Sequence, residues 1–358
     1  MDASASLGRP RMHLAPLLAL AIASFPAVAA AAPPAARARG QEPLPTESVS
    51  ALAREASPET TWSYFRTGGT HVPLWAPETG PSASLDLDLR MDFNMSPSAQ
   101  AASQRVGPAS LARSTVGSRM IVHWAPPDAA WQPYVGYGFF STEVLGGAAD
   151  SSLRAVRGVE GGSTAHVLLG LVHDTRDDRT DPRRGGVEEV ALRLASPFTG
   201  SRYSFGQLTM SARRFVPLSP RFVLAGRVAG DLVFGSAPFY ELSSFGGLEP
   251  FDGPGGAHGV RGASADGHVG TAKAVANLEL RALLAQPMVF GHRVRAEAVA
   301  FADAGYSGYP GTPGAGSSNF LASAGAGLRL VSGPLVVRVD AAGSTAGGGV
   351  HVGFGHTF

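Results

Sequence analysis

The chain contains no cysteine. A disulfide framework, a cysteine-ligated zinc site and a thiol nucleophile are therefore excluded. Neither charge is in surplus: 29 Lys+Arg face 28 Asp+Glu, a net +1 over 358 residues. The basic residues are spread along the chain, so charge-driven nucleic-acid binding has no basis here. Past residue 30 no uninterrupted apolar run reaches the ~18 residues that a membrane-spanning helix needs. The motifs G-x-S-x-G, H-E-x-x-H and the P-loop are missing. The ten histidines do not gather into a ligand set. No enzyme activity, metal or small-molecule cofactor is expected.

What is present begins at the N-terminus. Arg9 and Arg11 precede "HLAPLLALAIASFPAVAAAAPP", which ends on Ala-x-Ala at Ala27–Ala29. A basic start, an apolar centre and small residues at the end make a secretory signal over residues 1–29. A retained transmembrane helix is the other reading, but no charged stop follows. Residues 30–81 are rich in Pro and Ala and read as a linker, which becomes a periplasmic linker and barrel entry if the segments that follow form a membrane barrel.

From residue 82 the text alternates. In "SLDLDLRMDFN", Leu85, Leu87, Leu89, Met91 and Phe93 stand against Asp86, Asp88, Arg90, Asp92 and Asn94. A period of two with one apolar face is a strand between two different solvents. The pattern returns in "RFVLAGRVAGDL", "VANLELRAL", "VRAEAVAFADAG" and "PLVVRVDAA". A soluble sandwich would turn the apolar face to a shared core; a membrane barrel turns it to lipid and the polar face to a lumen. Three features favour the barrel. The segments approach the ~10 residues that cross hydrocarbon at a tilt. Charges of both signs occupy the non-apolar face. Short turns alternate with long Gly/Ser/Pro-rich loops, as periplasmic and extracellular connections do. The expected fold is all-β, a transmembrane antiparallel β-barrel over residues 82–358 with about twelve strands, or about sixteen as the alternative. Trp75, Trp124, Trp131 and Tyr134 fall near strand ends, as an interfacial aromatic girdle or as ordinary loop packing.

Four stretches carry motifs. "LGLVHDTRDDRTDPRRGG" holds Asp174, Arg176, Asp177, Pro182 and Gly185. "APFYELSSFGG" leads to "GGAHGVRG", with Val260, Arg261 and Gly262. "NLELRA" and "AFADAG" hold Glu279 and Asp303, and "SAGAGLRLVSGPLVVRVDAA" precedes "GFGHTF". In this order the set resembles the bacterial surface-antigen family, the BamA/TamA/TpsB-like superfamily of outer-membrane barrels. The resemblance covers about residues 165–358, and no POTRA domain is expected in the short N-terminal segment. Two departures stand out. Ala263 follows Gly262 where the family has an aromatic, and "LEPFDGP" stretches the spacing between the Gly-Gly pairs.

A long loop can fold back into a water-filled lumen, and an arginine at its tip then needs carboxylates. Glu279 and Asp303 lie on lumen-facing registers, and Arg261 can bind a carboxylate bidentately. The other reading is a solvated loop arginine. "DTRDDRTD" lacks the spacing and glycine of an EF-hand, so it reads as a charged periplasmic turn with internal Asp–Arg pairs.

The chain ends "VHVGFGHTF". Gly353, Phe354 and Phe358 resemble the C-terminal insertion signal of outer-membrane barrels, with His356 a departure. The last strand is expected to run to Phe358, placing that ring at the periplasmic lipid interface. The barrel seam is expected between residues 82–95 and 348–358, weakened by Gly347, Gly348, Gly349, Gly353 and Gly355. The resemblance implies an outer-membrane protein that inserts or translocates other proteins, without POTRA domains of its own. Its partners would be outer-membrane lipid, client proteins or a separate periplasmic protein, with no nucleic acid. A passive pore or structural barrel is the alternative, and a barrel enzyme or surface anchor the most remote.

Overall fold

The computed structural model describes residues 65–75, 82–95, 111–125, 129–145, 156–265, 268–289, 291–310, 319–333 and 335–358. The signal segment and most of the expected linker lie outside the described residues. The long strands are β1 (Phe65–Trp75), β2 (Ser82–Met95), β3 (Leu111–His123), β4 (Trp131–Leu145), β5 (Gly162–Asp174), β6 (Gly185–Ala195), β7 (Phe205–Pro217) and β8 (Phe222–Gly235). Two short ladders interrupt the series, β9 (Ser244–Phe245) with β10 (Phe251–Asp252) and β12 (Met288–Val289) with β13 (His292–Arg293). The closing strands are β11 (Ala272–Ala285), β14 (Arg295–Gly308), β15 (Asn319–Ser332), β16 (Leu335–Ser344) and β17 (Gly347–Phe354).

Thirteen long strands form one sheet in chain order, each antiparallel to its neighbours. The fold is an all-β, antiparallel transmembrane barrel. Each of the twelve expected strands corresponds to one of these within a few residues. Two expectations need correction. The sheet reaches back at least to Phe65, because β1 pairs with β2. Strand 82–95 is therefore interior, held by β1 on one edge and β3 on the other, and cannot form the seam. The sheet edges are β1 and β17, and among the described residues no ladder joins them.

The two faces are inverted relative to a soluble protein. Arg261, Arg329 and Arg338 are among the largest fully buried side chains, while Leu278, Leu328, Leu330 and Val352 are exposed. Water-soluble folds bury leucine and expose arginine. Here the outward face meets hydrocarbon and the inward face a polar lumen. In β11, Val275, Asn277, Glu279 and Arg281 point inward and are buried, while Leu278 and Leu280 point outward. Trp124 and Trp131 are exposed, but Tyr134 is inward and buried, so it does not belong to a girdle.

A membrane barrel satisfies its backbone groups within the sheet, so this fold should resist SDS until heated. The protein is expected to migrate differently in SDS gels before and after boiling, with a β-type far-UV circular dichroism spectrum. Identical mobility together with a helical spectrum would contradict this fold.

Candidate functional site

The segment from residue 236 to 271, between β8 and β11, enters the lumen from the long-loop end. It is held at three places. Near its start, Arg113 Nη1 donates to Tyr240 O at 2.9 Å and Arg193 Nη2 to Glu241 Oε2 at 2.6 Å. Burial alone would raise the Glu241 pKa, but Arg193 and Arg113 hold it below the usual carboxylate value. Phe239 and Tyr240 pack here with Val156, Val159, Tyr203 and Val269.

The second hold is the tip of the β9–β10 hairpin, residues 246–250, where the stretch "LEPFDGP" begins. Arg119 donates to Gly247 O at 3.0 Å and to Leu248 O at 2.7 Å. Leu248 N donates to Glu189 at 2.6 Å, and Tyr134 Oη donates to the same carboxylate at 2.5 Å. Arg213 pairs with Glu249 at 2.8 Å. The hairpin therefore reaches the wall formed by β3, β4, β6 and β7. The two departures from the family pattern meet at this point. Phe251, carried by the stretched segment, stacks on Phe245 at 4.4 Å and shares an apolar cluster with Ala263 and Val260. An aromatic ring from the insertion thus stands in the cluster to which Ala263 supplies only a methyl group.

The third hold is Val260–Arg261–Gly262. Val260 is buried against Gly305, where any Cβ would come within 2.7 Å of its methyl. Arg261 has no exposed surface. Its Nε and Nη2 donate to the two oxygens of Asp303 at 2.9 and 2.8 Å, and Nη1 donates to Glu279 Oε1 at 2.7 Å. The backbone N–H of Arg261 also donates to Asp303, at 3.1 Å. Burial opposes its charge, but the bonds to Asp303 and the charges of Glu279, Asp303 and Asp340 outweigh that and raise its pKa. The guanidinium lies 3.4 Å from the centre of the Phe301 ring. Gly262 follows with φ +85°, and a Cβ there would crowd the backbone of Ala342 on β16. Only glycine combines that left-handed conformation with so close an approach.

Sequence reasoning named two carboxylates; the cluster is wider. Arg329 bonds Asp340 at 2.5 and 3.1 Å, and Asp340 lies 3.5 Å from Arg261. Arg281 pairs with Glu279 at 2.9 Å. Asn277 donates to Asp303 and accepts from Arg227, each with bonds of 2.7–2.8 Å. Four arginines (Arg261, Arg281, Arg329 and Arg338) pair with three carboxylates (Glu279, Asp303 and Asp340) in this buried set, and Arg227 is linked to Asp303 through Asn277. Aromatic faces supply part of what the carboxylates cannot: Arg227 lies 4.4 Å from Phe251 and 5.3 Å from Phe358, and Arg281 lies 5.6 Å from Phe215. Arg329, Arg338 and Asp340 stand in "LRLVSGPLVVRVDAA", Asn277 and Arg281 in "VANLELRAL" and Arg227 in "RFVLAGRVAGDL", all on inward registers, but only the curvature of the sheet brings the first three to Arg261.

The C-terminus corrects the sequence reading. β17 stops at Phe354, which points outward and is 76% exposed. Gly355 then takes φ +77°, and the last residues turn inward. Thr357 is buried and accepts from Arg338 at 2.6 Å and from Arg261 at 3.2 Å. His258 of the loop meets Thr357 O at 3.1 Å. The Phe358 ring lies near Arg227 and Arg281 in the lumen, not at the lipid interface. Gly353 lies on β17 beside the Arg338 side chain.

The turn between β5 and β6 meets this tail. Arg176 chelates Asp174 at 3.0 and 2.8 Å, and Asp177 accepts from the backbone of Arg183 and Arg184 at 3.0 Å. Pro182 is buried. Gly185 has φ +88°, with a Cβ placed 2.0 Å from Thr175 O, so only glycine fits. Asp181 contacts Arg295 at the start of β14 and His356 of the tail, the latter at 3.1 Å. Burial and the nearby Arg281 push the His356 pKa down to about 2, so it is neutral here. Among the described residues no group of His, Asp and Glu is arranged to hold a metal ion.

A sheet with a lipid-facing exterior, an ion-paired lumen and an inward loop defines an outer-membrane β-barrel. The Omp85 superfamily domain matches residues 72–358, and the chain belongs to that superfamily. Its fold is similar to that of BamA from Haemophilus ducreyi lacking POTRA domains 1–3, with a TM-score of 0.52 and 19% identity over 80% of this chain. The chain spans about 60% of the length of that structure's chain. Comparison with curated proteins gives no match.

Proposed function

We propose that this barrel inserts or translocates other proteins at the outer membrane, receiving them from the periplasm directly or through a separate periplasmic partner. The observation that carries this reading is the loop held inside the lumen by buried charges. The loop is held from strands far apart in the sheet, by Arg119 of β3 at Gly247 and Leu248 and by Asp303 of β14 at Arg261, and Thr357 of the C-terminal tail accepts from Arg261. A passive pore needs a continuous water path, and a loop and tail bound inside the lumen stand in that path. Among the described residues β1 and β17 each have a neighbour on one side only, and such an edge is where a client strand can add.

The test is reconstitution of the purified protein into liposomes with an unfolded outer-membrane protein as client. The expected result is faster acquisition of heat-modifiable client than in empty liposomes, with little conductance before the client is added. A steady conductance with no gain in client insertion would favour the passive pore and overturn the proposal.

A further inference from the structure

Among the described side chains the outward face is apolar or small along most of the sheet. Near the short-turn end of β4–β7 it is not. Trp131 on β4 stands directly opposite His173 on β5, which stands opposite Glu188 on β6. The Trp131 and His173 rings stack at 4.3 Å. His173 Nδ1 lies 3.0 Å from Glu188 Oε2, and the other carboxylate oxygen contacts Arg214 on β7. Gly186 gives Arg214 its path, since a Cβ there would meet the Arg214 guanidinium at 2.1 Å.

All four side chains face outward. The next outward positions on the same strands are apolar: Leu171, Val190 and Ala212, then Leu169 and Met210. The polar row therefore sits at the boundary where hydrocarbon begins. Its members stay available, with Arg214 59% and Glu188 31% exposed in their side chains and Trp131 58% exposed. A charged pair facing lipid is costly unless something at that depth answers both signs. Water and headgroups do so at the interface, and the row offers one cation, one carboxylate and one open indole face together.

We propose that Trp131, His173, Glu188 and Arg214 form a binding site for a zwitterionic phospholipid carrying a primary ammonium group. Arg214 takes the phosphate through its exposed N–H groups. Glu188 accepts from the ammonium, which also lies against the indole face of Trp131. The acyl chains run over Leu171, Val190 and Met210. Short turns mark the periplasmic end of outer-membrane barrels, so the lipid comes from the inner leaflet.

The experiment uses the full chain in detergent, titrated with phosphatidylethanolamine, phosphatidylcholine and phosphatidylglycerol and read by native mass spectrometry. Wild type is expected to retain phosphatidylethanolamine over the other two by roughly fivefold or more. Glu188→Gln should remove the preference over phosphatidylglycerol, and Arg214→Gln should weaken retention of all three. Unchanged gel heat-modifiability checks that the variants are folded. The wild-type titration decides the matter even if a variant fails that check. Equal retention of the three lipids by wild type, a preference for phosphatidylglycerol, or competition by soluble phosphoethanolamine at the same concentration as the lipid would overturn the proposal.

Discussion

Arg261→Ala is expected to be the most damaging single substitution in the described lumen. It removes the only loop cation that binds Glu279 and Asp303 together. Both carboxylates are fully buried and cannot recruit bulk water. Breaking a buried pair in this way costs about 3–5 kcal/mol, because the remaining charges stay unpaired. Some of that is recovered, since Arg281 and Arg329 still face Glu279, and Asn277 and Ser323 still donate to Asp303. The loss should therefore fall mainly on the loop and less on the strands. The expected result is faster proteolysis within residues 236–271 and a lower temperature for the heat-modifiable shift in SDS gels. Arg261→Lys keeps the charge but not the bidentate fork, so it should rescue only part of the effect. Wild-type protease resistance in Arg261→Ala would show that the other two holds, at 239–241 and 247–249, suffice.

The contrast between strands and loop shows what was legible in the sequence. Strict alternation gave twelve strands, because each has lipid on one face and a polar lumen on the other. β1 was not found, and its sequence explains why. "FRTGGTHVPLW" carries two glycines and a proline, and its ladder with β2 shifts register between Thr67 and Thr70 and again between Pro73 and Trp75. A bulged strand has no steady period of two. Glu279 and Asp303 stood out because they follow the loop on consecutive long strands with inward registers. Asp340 and Arg329 come from strands further along the sheet, and their approach to Arg261 depends on how tightly it curves. The reversal at Gly355 had no sequence signal, since the alternation continues unbroken to Phe358. One left-handed glycine undoes the inference for the three residues that follow.

Those three residues carry the second large effect. Deleting His356–Phe358 removes the Asp181–His356 bond, the two bonds to Thr357 from Arg261 and Arg338, and the aromatic face near Arg227 and Arg281. Burial of one aromatic is worth roughly 2–3 kcal/mol at most, and Phe358 is only half-buried. A cation–π contact adds about 0.5–2 kcal/mol. The deletion should therefore unseat the tail without unfolding the sheet, whose last ladder ends at Phe354. The expected outcome is a rise in single-channel conductance in planar bilayers, with increased protease access to the loop from the short-turn side. Phe358→Leu keeps apolar bulk but loses the ring, and should fall between wild type and the deletion. The same residues resemble an insertion signal, and the two roles separate experimentally. A drop in assembled protein with unchanged conductance per assembled barrel would leave the tail as a signal alone. A conductance rise at normal assembly would make it the lower stop of the lumen, seated on the cluster that holds Arg261.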